Sequence, residues 1–560
     1  MDLSSLNVWS AAALLGLASH VGFKNNEPTV PQFLTYATAM QGLPVILWAS
    51  QRNFNVLGLC YMVMKFNICF FTVLGASISI YRLFLHPLRN YPGPVLGKLS
   101  KFHWAYICAT GNSHRYLEAQ HKKHGDIVRY GPNELSFIGA EDVSYIHGAR
   151  SLKLRRGPWY DGNPGRAGAH TLVMASTRNV DAHKFRRRIW DKAFTAAALE
   201  SYEPRLIQLT DKLISECEGR VGGEFDISAE VDNFTFDAMG DLGFSADFGL
   251  ISRTNKESLE WTHLLHSYMR MAATVRPVPW FKELYKWLPI DRKRKANAFE
   301  FVRFTKRRFE ERYSRGQGPN EDIFDYLMQA DAQTGKALTM SQVAEESIVV
   351  VIAGSDTSSV AMTFVLYYLL LNPEKYKRLQ AEIDSVWDGT SVLTGQQVVP
   401  ARAPYFNAVI NEAMRLAHPD PNGNQRSTPQ EGAVINGKYI PGYTQISVHK
   451  WTMLRDEKNF SRSLEFIPER WMELEREGLG IQNHNTKAWI PFGAGIYSCA
   501  GKPLAMLEMR LFLVRFLRRL ELVPKPGFDL GRFPLDVTST LTLMKVPLPV
   551  LLKKRSLDNQ

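Results

Sequence analysis

The chain has 560 residues, of which 45% are hydrophobic, 11% aromatic and 22% charged. This composition supplies a large apolar core and excludes a disordered, collagen-like or coiled-coil protein. A net charge of +12 suits a membrane surface or an acidic partner as well as it suits nucleic acid. The five cysteines are widely spaced and form no C-x-x-C or zinc-finger pattern, so neither a disulfide scaffold nor a zinc module is expected.

Residues 1–90 are predicted to form a membrane anchor. Three apolar stretches approach the length of a bilayer-spanning helix; they lie near 6–23, 33–49 and 62–81. Arg82 and Arg89 follow the third stretch, as is typical of a cytoplasmic flank. Pro44 and Lys65 interrupt the apolar pattern, so between one and three helices could span. The alternative is that these are buried helices of a soluble domain.

Residues 91–560 are predicted to form one large domain, because no second linker, repeat or biased tract is seen. Strand-like alternation at 127–130 and 135–137 surrounds the turn Gly131-Pro132-Asn133, and helical periodicity dominates afterwards. The expected fold is predominantly α-helical α+β. The basic stretch 292–308 carries phenylalanines at helical spacing, so a solvated amphipathic helix is favoured over a nucleic-acid patch.

Cys499 carries the strongest chemical signal, because it lies among glycines just before a predicted helix at 504–520. Gly493, Gly495 and Gly501 allow backbone amides to approach the sulfur, and the helix N-terminus adds partial positive charge. Both effects favour a thiolate. A nucleophilic cysteine would need a nearby base, which this segment lacks, so a metal ligand is favoured over a nucleophile or a structural cysteine.

A second signal is the sequence Ala353-Gly354-Ser355-Asp356-Thr357 at the centre of an apolar helix predicted over 347–371. An aspartate at a bilayer centre would cost roughly 2.5 to 3.5 kcal/mol, so a helix through the middle of a large domain is favoured over a membrane span. Taken alone, an Asp-Thr pair is more often a local capping arrangement than a catalytic one.

The segment around Cys499 resembles the F-x-x-G-x-R-x-C-x-G pattern of the cytochrome P450 family, the haem-thiolate monooxygenases, at Phe492, Gly495, Cys499 and Gly501. The resemblance implies the P450 fold, with Cys499 as the axial ligand of haem b and the other three residues around the cofactor. A thiolate ligand favours O–O cleavage. One position departs from the pattern: Tyr497 replaces the Arg or His that meets a haem propionate, and a neutral tyrosine can hydrogen-bond a carboxylate but not neutralise it.

The resemblance extends to the central helix, which is similar to the oxygen-activating helix of the family with its A-G-x-D-T core. By that resemblance Gly354 lets a ligand approach the backbone, Thr357 donates a hydrogen bond and Asp356 relays protons, which is the acid catalysis that dioxygen cleavage needs. Asp356 and Thr357 are therefore the expected catalytic residues.

Three further charged residues match the family in order. Glu412 and Arg415 are three apart and can pair on one helix face. The segment 466–471 resembles the one whose arginine, Arg470, joins them in a buried structural triad. The alternative is three unrelated surface charges.

Two arginines are expected to meet the haem propionates. Arg187 follows His183 at the spacing of the family's W/H-x-x-x-R, and Arg426 resembles a second contact. The alternative for each is a basic side chain that faces water.

The predicted partners follow from the same resemblance. No flavin or nicotinamide motif is present, which implies a separate NADPH-cytochrome P450 reductase that docks by its acidic surface on Lys502, Arg510 and 186–188. The apolar segment 269–290 is expected either to be an exposed loop that dips into membrane lipid or to belong to the core. A lipophilic small molecule is the expected substrate, and no nucleic acid is expected.

The sequence as a whole predicts a membrane-anchored monooxygenase that hydroxylates or epoxidises a lipophilic small molecule. The segment 81–94 looks like fungal microsomal members, which suggests an endoplasmic reticulum membrane, a cytoplasmic catalytic domain and a secondary metabolic pathway to terpenoids, polyketides or alkaloids. The alternatives are a haem-thiolate isomerase, dehydratase or peroxygenase and, more remotely, a non-catalytic haem or lipid sensor.

Overall fold

The computed structural model describes residues 8–24, 30–49, 55–148, 151, 153–163, 173–254, 260–387 and 391–555. The three N-terminal helices are α1 (Val8–Phe23), α2 (Val30–Ala49) and α3 (Val56–Ile80), and α3 continues into a π-helical turn at Tyr81–Leu85. Both α1 and α2 pack against α3. Gly16 permits the α1 contact, because a Cβ there would lie 3.0 Å from the Phe70 carbonyl oxygen. Gln41 of α2 and Asn67 of α3 exchange amide hydrogen bonds of 2.8 and 3.0 Å.

Helices dominate the rest of the chain. In order, they are α4 (Val95–Leu99), α5 (Lys101–Ala109), α6 (Ser113–His124), α7 (Ala140–Ile146), α8 (Val180–Lys192), α9 (Ala196–Glu218), α10 (Ile227–Phe244), α11 (Trp261–Val275), α12 (Phe281–Trp287), α13 (Arg292–Arg315), α14 (Ile323–Leu327), α15 (Met340–Val351), α16 (Thr357–Leu371), α17 (Pro373–Ser385), α18 (Pro404–Leu416), α19 (Lys450–Met453), α20 (Glu473–Gly478), α21 (Lys502–Arg519) and α22 (Phe533–Asp536).

The strands of the described chain form four small sheets of two to four strands each. They are β1 (Ile127–Gly131), β2 (Glu134–Phe137), β3 (Glu224–Asp226), β4 (Arg426–Ser427), β5 (Ala433–Ile435), β6 (Lys438–Ile440), β7 (Gln445–Val448), β8 (Leu520–Pro524), β9 (Thr538–Ser539), β10 (Leu543–Met544) and β11 (Pro549–Lys554). The largest sheet has the order β1-β2-β7-β4, with β2 and β7 parallel. β1 and β2 confirm the predicted pair of strands, and β4 starts at Arg426.

The centre of the protein is one long helix, α15 and α16 joined through a π-helical segment at Ile352–Asp356. Two of the described helices are long and apolar enough to cross a membrane, Val56–Leu85 and Met340–Leu371; the first is mostly exposed and the second mostly buried. Because α10, α18 and α21 pack around α16, the second is a core helix, as its aspartate predicted. It begins at Met340, seven residues before the predicted start.

Two other predictions met different outcomes. The basic stretch is an amphipathic helix, α13, whose Phe301, Phe304 and Phe309 are buried, as expected. The predicted loop at 269–290 is wrong, because this segment holds the end of α11 and all of α12, separated by a turn that contains Pro277 and Pro279. Its first half is core and its second half exposes apolar side chains, so each of the two alternatives describes part of it.

Candidate active site

The cysteine loop is held by backbone contacts immediately before α21. The Cys499 amide donates to the Phe492 carbonyl at 2.8 Å, which closes the loop. Gly495 has φ 68°, and a Cβ at this position would lie 2.2 Å from the His147 carbonyl oxygen. Only glycine therefore fits there, for both conformation and space. The arrangement leaves the Cys499 side chain accessible while protein surrounds the loop.

The environment of Cys499 acts on its thiol in two directions. Burial within the protein raises the pKa, whereas hydrogen bonds from the Gly501 and Lys502 amides and the positive charge of Arg187 lower it. The raising effect is larger, so the pKa of Cys499 lies above its ordinary value. The amides act as the sequence predicted, but the protein alone does not make the thiolate; a metal ion bound to sulfur would.

Tyr497 lies at the centre of a cluster of cationic and aromatic side chains. The guanidinium carbons of Arg156 and Arg426 lie 4.3 and 4.5 Å from its ring centroid, and the His183 ring lies 4.6 Å away. The Tyr497 hydroxyl, Arg156 Nε and His183 Nδ1 are buried and have no hydrogen-bond partner in the described part of the chain. Orphaned buried polar atoms imply a missing partner.

The chemistry of this cluster fits the carboxylates of a haem. Buried guanidinium groups require anions, and a planar guanidinium is suited to a carboxylate. A cysteine followed by a helix N-terminus lies on the neighbouring loop. The residues present therefore fit haem, with Cys499 toward the iron and the Tyr497 cluster toward the carboxylates.

Arg187 lies beside the cysteine loop but is engaged with protein. Its guanidinium donates to the Ser498 carbonyl at 2.5 Å and to Asp191 at 2.6 Å. The structure thus brings His183 and Arg426 to the Tyr497 ring and Arg187 to the backbone next to Cys499. A direct contact of Arg187 with a propionate stays a prediction.

The π-helical segment of the central helix places the two expected catalytic residues together. Asp356 is buried and accepts a hydrogen bond from the Thr542 hydroxyl, while His266 Nε2 of α11 lies 3.6 Å from its other oxygen. The Thr357 hydroxyl donates to the Ala353 carbonyl at 2.8 Å. This segment therefore presents a carboxylate and a hydroxyl side by side.

Gly354 serves helix packing. A Cβ at this position would lie 2.0 Å from Met239 Sδ on α10. The missing side chain thus allows the central helix to approach α10, whereas the sequence led us to expect that it makes room for a ligand. Packing explains the glycine without a ligand.

The three charged residues of the expected triad meet in the core. Arg415 donates from Nε and one terminal nitrogen to Glu412 at 2.9 and 2.8 Å, and Arg470 Nε donates to Glu412 at 2.9 Å. The Ile467 amide and the Trp471 indole each add a bond to this carboxylate, at 3.0 Å. These contacts hold the pKa of Glu412 below its ordinary value despite complete burial.

Sequence reasoning missed three residues of the site: Arg156, His266 and Thr542. Arg156 could have been noticed, because in an extended segment it lies on the same side as the apolar Leu154. In the structure both residues are buried and Arg155 between them is exposed. Nothing local distinguishes His266 or Thr542, which reach Asp356 from about 90 and 190 residues away in the sequence.

The basic residues predicted to face a reductase are mostly engaged within the protein. Arg186 is buried and pairs with Glu346 at 2.8 Å, and Arg188 pairs with Asp331 at 2.8 Å. Arg510 is half-buried and donates to Asn407. Lys502 is the only one of the predicted docking residues that is exposed.

Residues 87–548 match the family model described as Cytochrome P450. The chain belongs to the cytochrome P450 family. It is 33% identical over 97% of its length to "Cytochrome P450 67" of Uromyces fabae, of which it covers 99%. It is 32% identical over 87% of its length to "Cytochrome P450 monooxygenase orf5" of Eupenicillium brefeldianum, of which it covers 95%.

Solved P450 structures share the fold of this chain. A crystal structure of the cytochrome P450DA heme domain superposes with a TM-score of 0.67 at 19% identity, over 83% of this chain and 98% of that one. The predominantly helical P450 fold expected from the cysteine motif is thereby confirmed. This P450 is a haem-dependent monooxygenase, as its family and curated relatives indicate.

Proposed function

We propose that this P450 hydroxylates or epoxidises a lipophilic small molecule at a membrane, using electrons from a separate NADPH-dependent reductase. The observation that carries the proposal is that the chain has both the cysteine loop and a central helix with a buried Asp356 next to Thr357. Haem, when bound, supplies the one-electron and dioxygen chemistry that no side chain can provide. Cys499 would hold its iron, and the cluster around Tyr497 its carboxylates.

The proton relay is the part of the chemistry that this chain itself supplies. Thr542 and His266 hold Asp356 on two sides, so its carboxylate is fixed in orientation. The Thr357 hydroxyl can exchange its hydrogen bond to the Ala353 carbonyl for one to dioxygen or a water molecule. The exchange is possible because the backbone hydrogen bonds of the preceding π-helical segment are less regular than those of an α-helix. A relay of this kind favours a monooxygenase over an isomerase, dehydratase or peroxygenase, which can dispense with it.

Substitution of Thr357 tests the relay. In Thr357→Ala, with reductase present, we expect NADPH consumption to continue while product per NADPH falls by about tenfold or more and hydrogen peroxide rises. Thr363→Ala is the matched control, since this buried threonine lies on the same helix and its hydroxyl has no partner among the described residues. Unchanged coupling in Thr357→Ala would contradict the proposed relay and favour the alternatives.

Coordination by Cys499 has its own test. The reduced carbon monoxide complex should show the red-shifted absorption typical of sulfur coordination, and Cys499→Ala should abolish it. The same spectrum, followed during titration with hydrophobic compounds, would identify substrates. A non-catalytic sensor would respond in the spectrum without turning over.

The proposed membrane face combines the N-terminal helices with an apolar surface of the catalytic domain. Trp280, Leu284 and Trp287 are exposed on or next to α12, and Phe102 of α5 contacts the Trp280 ring at 5.6 Å. The turn after α3 is tied to the domain through Arg82, which donates to the Leu99 carbonyl. A lipophilic substrate could enter from the bilayer along this face.

Quenching by brominated lipid tests this face in the full chain reconstituted in bilayers. Trp287, which is 86% exposed, should account for a measurable share of the quenched tryptophan fluorescence, so Trp287→Phe should reduce quenching. Trp387→Phe, two residues after the end of α17, should leave the quenching unchanged. Equal effects of the two variants would place α12 outside the lipid.

The reductase is proposed to dock beside the cysteine loop, on the exposed lysines Lys502 of α21 and Lys184 of α8. Exposed charges steer association and are screened by salt. Lys502→Gln and Lys184→Gln should slow reduction by the reductase at low salt, whereas Lys293→Gln on α13 should not. A reduction rate independent of ionic strength would argue against this surface.

The biological setting is proposed from similarity and from the apolar α3. Curated relatives from several fungi bear monooxygenase names, among them those of Hypoxylon pulicicidum and Penicillium fellutanum, at 32% and 30% identity. Together with the apolar α3 and the basic residues that follow it, this supports an endoplasmic reticulum P450 of a fungal secondary pathway to a terpenoid, polyketide or alkaloid. Coexpression of the chain with candidate pathway enzymes, followed by product analysis, tests this assignment.

A further inference from the structure

Two arginines lie buried beside the cysteine loop without a carboxylate partner among the described residues. Arg156 and Arg426 are 7% and 3% exposed. Arg156 donates to the backbone carbonyls of Met174 and Thr177. Arg426 donates to the Gln425 carbonyl and to the Tyr160 hydroxyl. Across the described ranges, no salt bridge reaches either guanidinium. Buried charges are normally paired, so an anion is expected to bind near these two guanidinium groups.

Tyr497 separates these two cations. Its ring lies 4.3 Å from the Arg156 guanidinium and 4.5 Å from that of Arg426, distances at which both are attracted to the π-system. Its hydroxyl is buried and unpartnered in the part of the chain that the structure describes. A third guanidinium at position 497 would instead lie between two like charges, which disfavours it.

We propose that Arg156 supplies the positive charge that one haem carboxylate needs and that the neutral Tyr497 cannot provide. Tyr497 keeps the guanidinium groups of Arg156 and Arg426 apart, and its hydroxyl donates a hydrogen bond to the same carboxylate. The Arg187 guanidinium already bonds Ser498 and Asp191, whereas Arg156 bonds only neutral groups among the described residues. The positive charge would then come from Arg156, which precedes the 3-10 turn Pro158–Gly162 and whose guanidinium lies over the Tyr497 ring. The proposal rests on haem binding as set out above.

Haem retention is the property that this arrangement controls. The test measures the rate of haem transfer from the full-length holoenzyme to excess apomyoglobin, which is read from absorbance and requires no turnover. A hydrogen bond between charged groups is worth enough that its loss in Arg156→Leu should accelerate transfer roughly 10- to 100-fold. Arg155→Leu is the matched control: it is the adjacent arginine, it is exposed, and it should leave the rate unchanged.

Relocation of the charge separates a specific contact from general damage. Tyr497→Arg alone should lose haem faster than the wild type, because it crowds three guanidinium groups. Combined with Arg156→Leu, the same substitution should retain haem better than Arg156→Leu alone. Tyr497→Phe, which keeps the ring and removes only the hydroxyl, should accelerate transfer by about tenfold or less.

Several results would overturn the proposal. They are equal transfer rates for Arg155→Leu and Arg156→Leu, a double variant that retains haem no better than Arg156→Leu, or a Tyr497→Arg variant that binds haem more tightly than the wild type. If Arg156→Leu fails to accumulate, Arg156→Gln decides, since it removes the positive charge and keeps a polar side chain of similar length; a wild-type transfer rate for this variant would refute the role. A wild-type chain without the thiolate spectrum would refute haem-thiolate binding itself, which is a different failure.

Discussion

Glu508 is a buried acid whose protonation makes the stability of this P450 depend on pH. It lies on α21, nine residues after Cys499, and is 1% exposed. Its carboxyl shares a hydrogen bond with Ser358, and its Oε1 has no partner among the described residues. Burial raises the pKa of Glu508 to about 8, against 4.5 in an exposed glutamate. The folded protein therefore holds a proton here at neutral pH.

The sign and size of the effect follow from proton linkage. Between pH 4.5 and about 8 the folded state binds a proton at Glu508 that the unfolded chain releases, so the free energy of unfolding falls as pH rises through this window. At 1.36 kcal/mol per pH unit, the loss across the window approaches about 5 kcal/mol as an upper bound. Glu508→Gln removes the ionisable group and hence this dependence.

The measurement compares unfolding of solubilised holoenzyme by urea, followed through loss of the haem spectrum, from about pH 5 to about pH 9. The stability of Glu508→Gln relative to the wild type should rise with pH and level off above about pH 8. A constant offset from the extra amide donor is compatible with this, because it does not vary with pH. Glu374→Gln, an exposed glutamate paired with Lys377, should run parallel to the wild type. A parallel curve for Glu508→Gln would refute the reasoning.

Three further outcomes are expected. Glu412→Gln should destabilise the protein by about 3 to 5 kcal/mol, because it leaves Arg415 and Arg470 buried without their anion; normal thermal stability and haem content would contradict this. Desolvation lowers the pKa values of three buried histidines, to about 3 for His114, about 4 for His121 and about 3 for His418. As pH falls below 6.5, the unfolded chain therefore binds protons that the folded chain does not, and the free energy of unfolding should decrease. Calorimetric unfolding at pH 5 without proton uptake would contradict this. His266→Phe should reduce product per NADPH less severely than Asp356→Asn, because the imidazole acts through the carboxylate; equal coupling to the wild type in both variants would remove Asp356 from the relay.

The predictions that succeeded rest on local chemistry. The glycine-flanked cysteine, the E-x-x-R spacing and the strand pair around Gly131-Pro132-Asn133 each require only neighbours in sequence, and the structure shows the predicted loop, helix face and hairpin. The central helix was also predictable, since an aspartate excludes a bilayer. Its π-helical segment was not predictable, because the spacing of apolar residues does not reveal that one helical turn contains an additional residue.

The predictions that failed depend on partners far away in the chain. The basic face of α8 looked free in the sequence, yet Arg186 pairs with Glu346 and Arg188 with Asp331, 160 and 143 residues later. The apolar segment 269–290 was expected to be an exposed loop or part of the core, but it holds the end of α11 and all of α12, and only the turn between them is a loop. The charge and apolar content of a segment can be read from its own sequence. Its ion pairs and its packing depend on the other helices and loops that contact it in the fold.

Position 497 shows why a motif should be judged with its surroundings. Taken alone, tyrosine in place of arginine weakens the expected hold on a haem carboxylate. In the folded chain the same ring is flanked by Arg156 and Arg426, and its buried hydroxyl has no hydrogen-bond partner in the segments that the structure describes. Because a carboxylate needs a nearby positive charge and not one particular residue number, the departure from the pattern is compatible with the chemistry that the pattern implies. Tyr497 in place of arginine is explained only together with Arg156, which the tertiary structure places beside it.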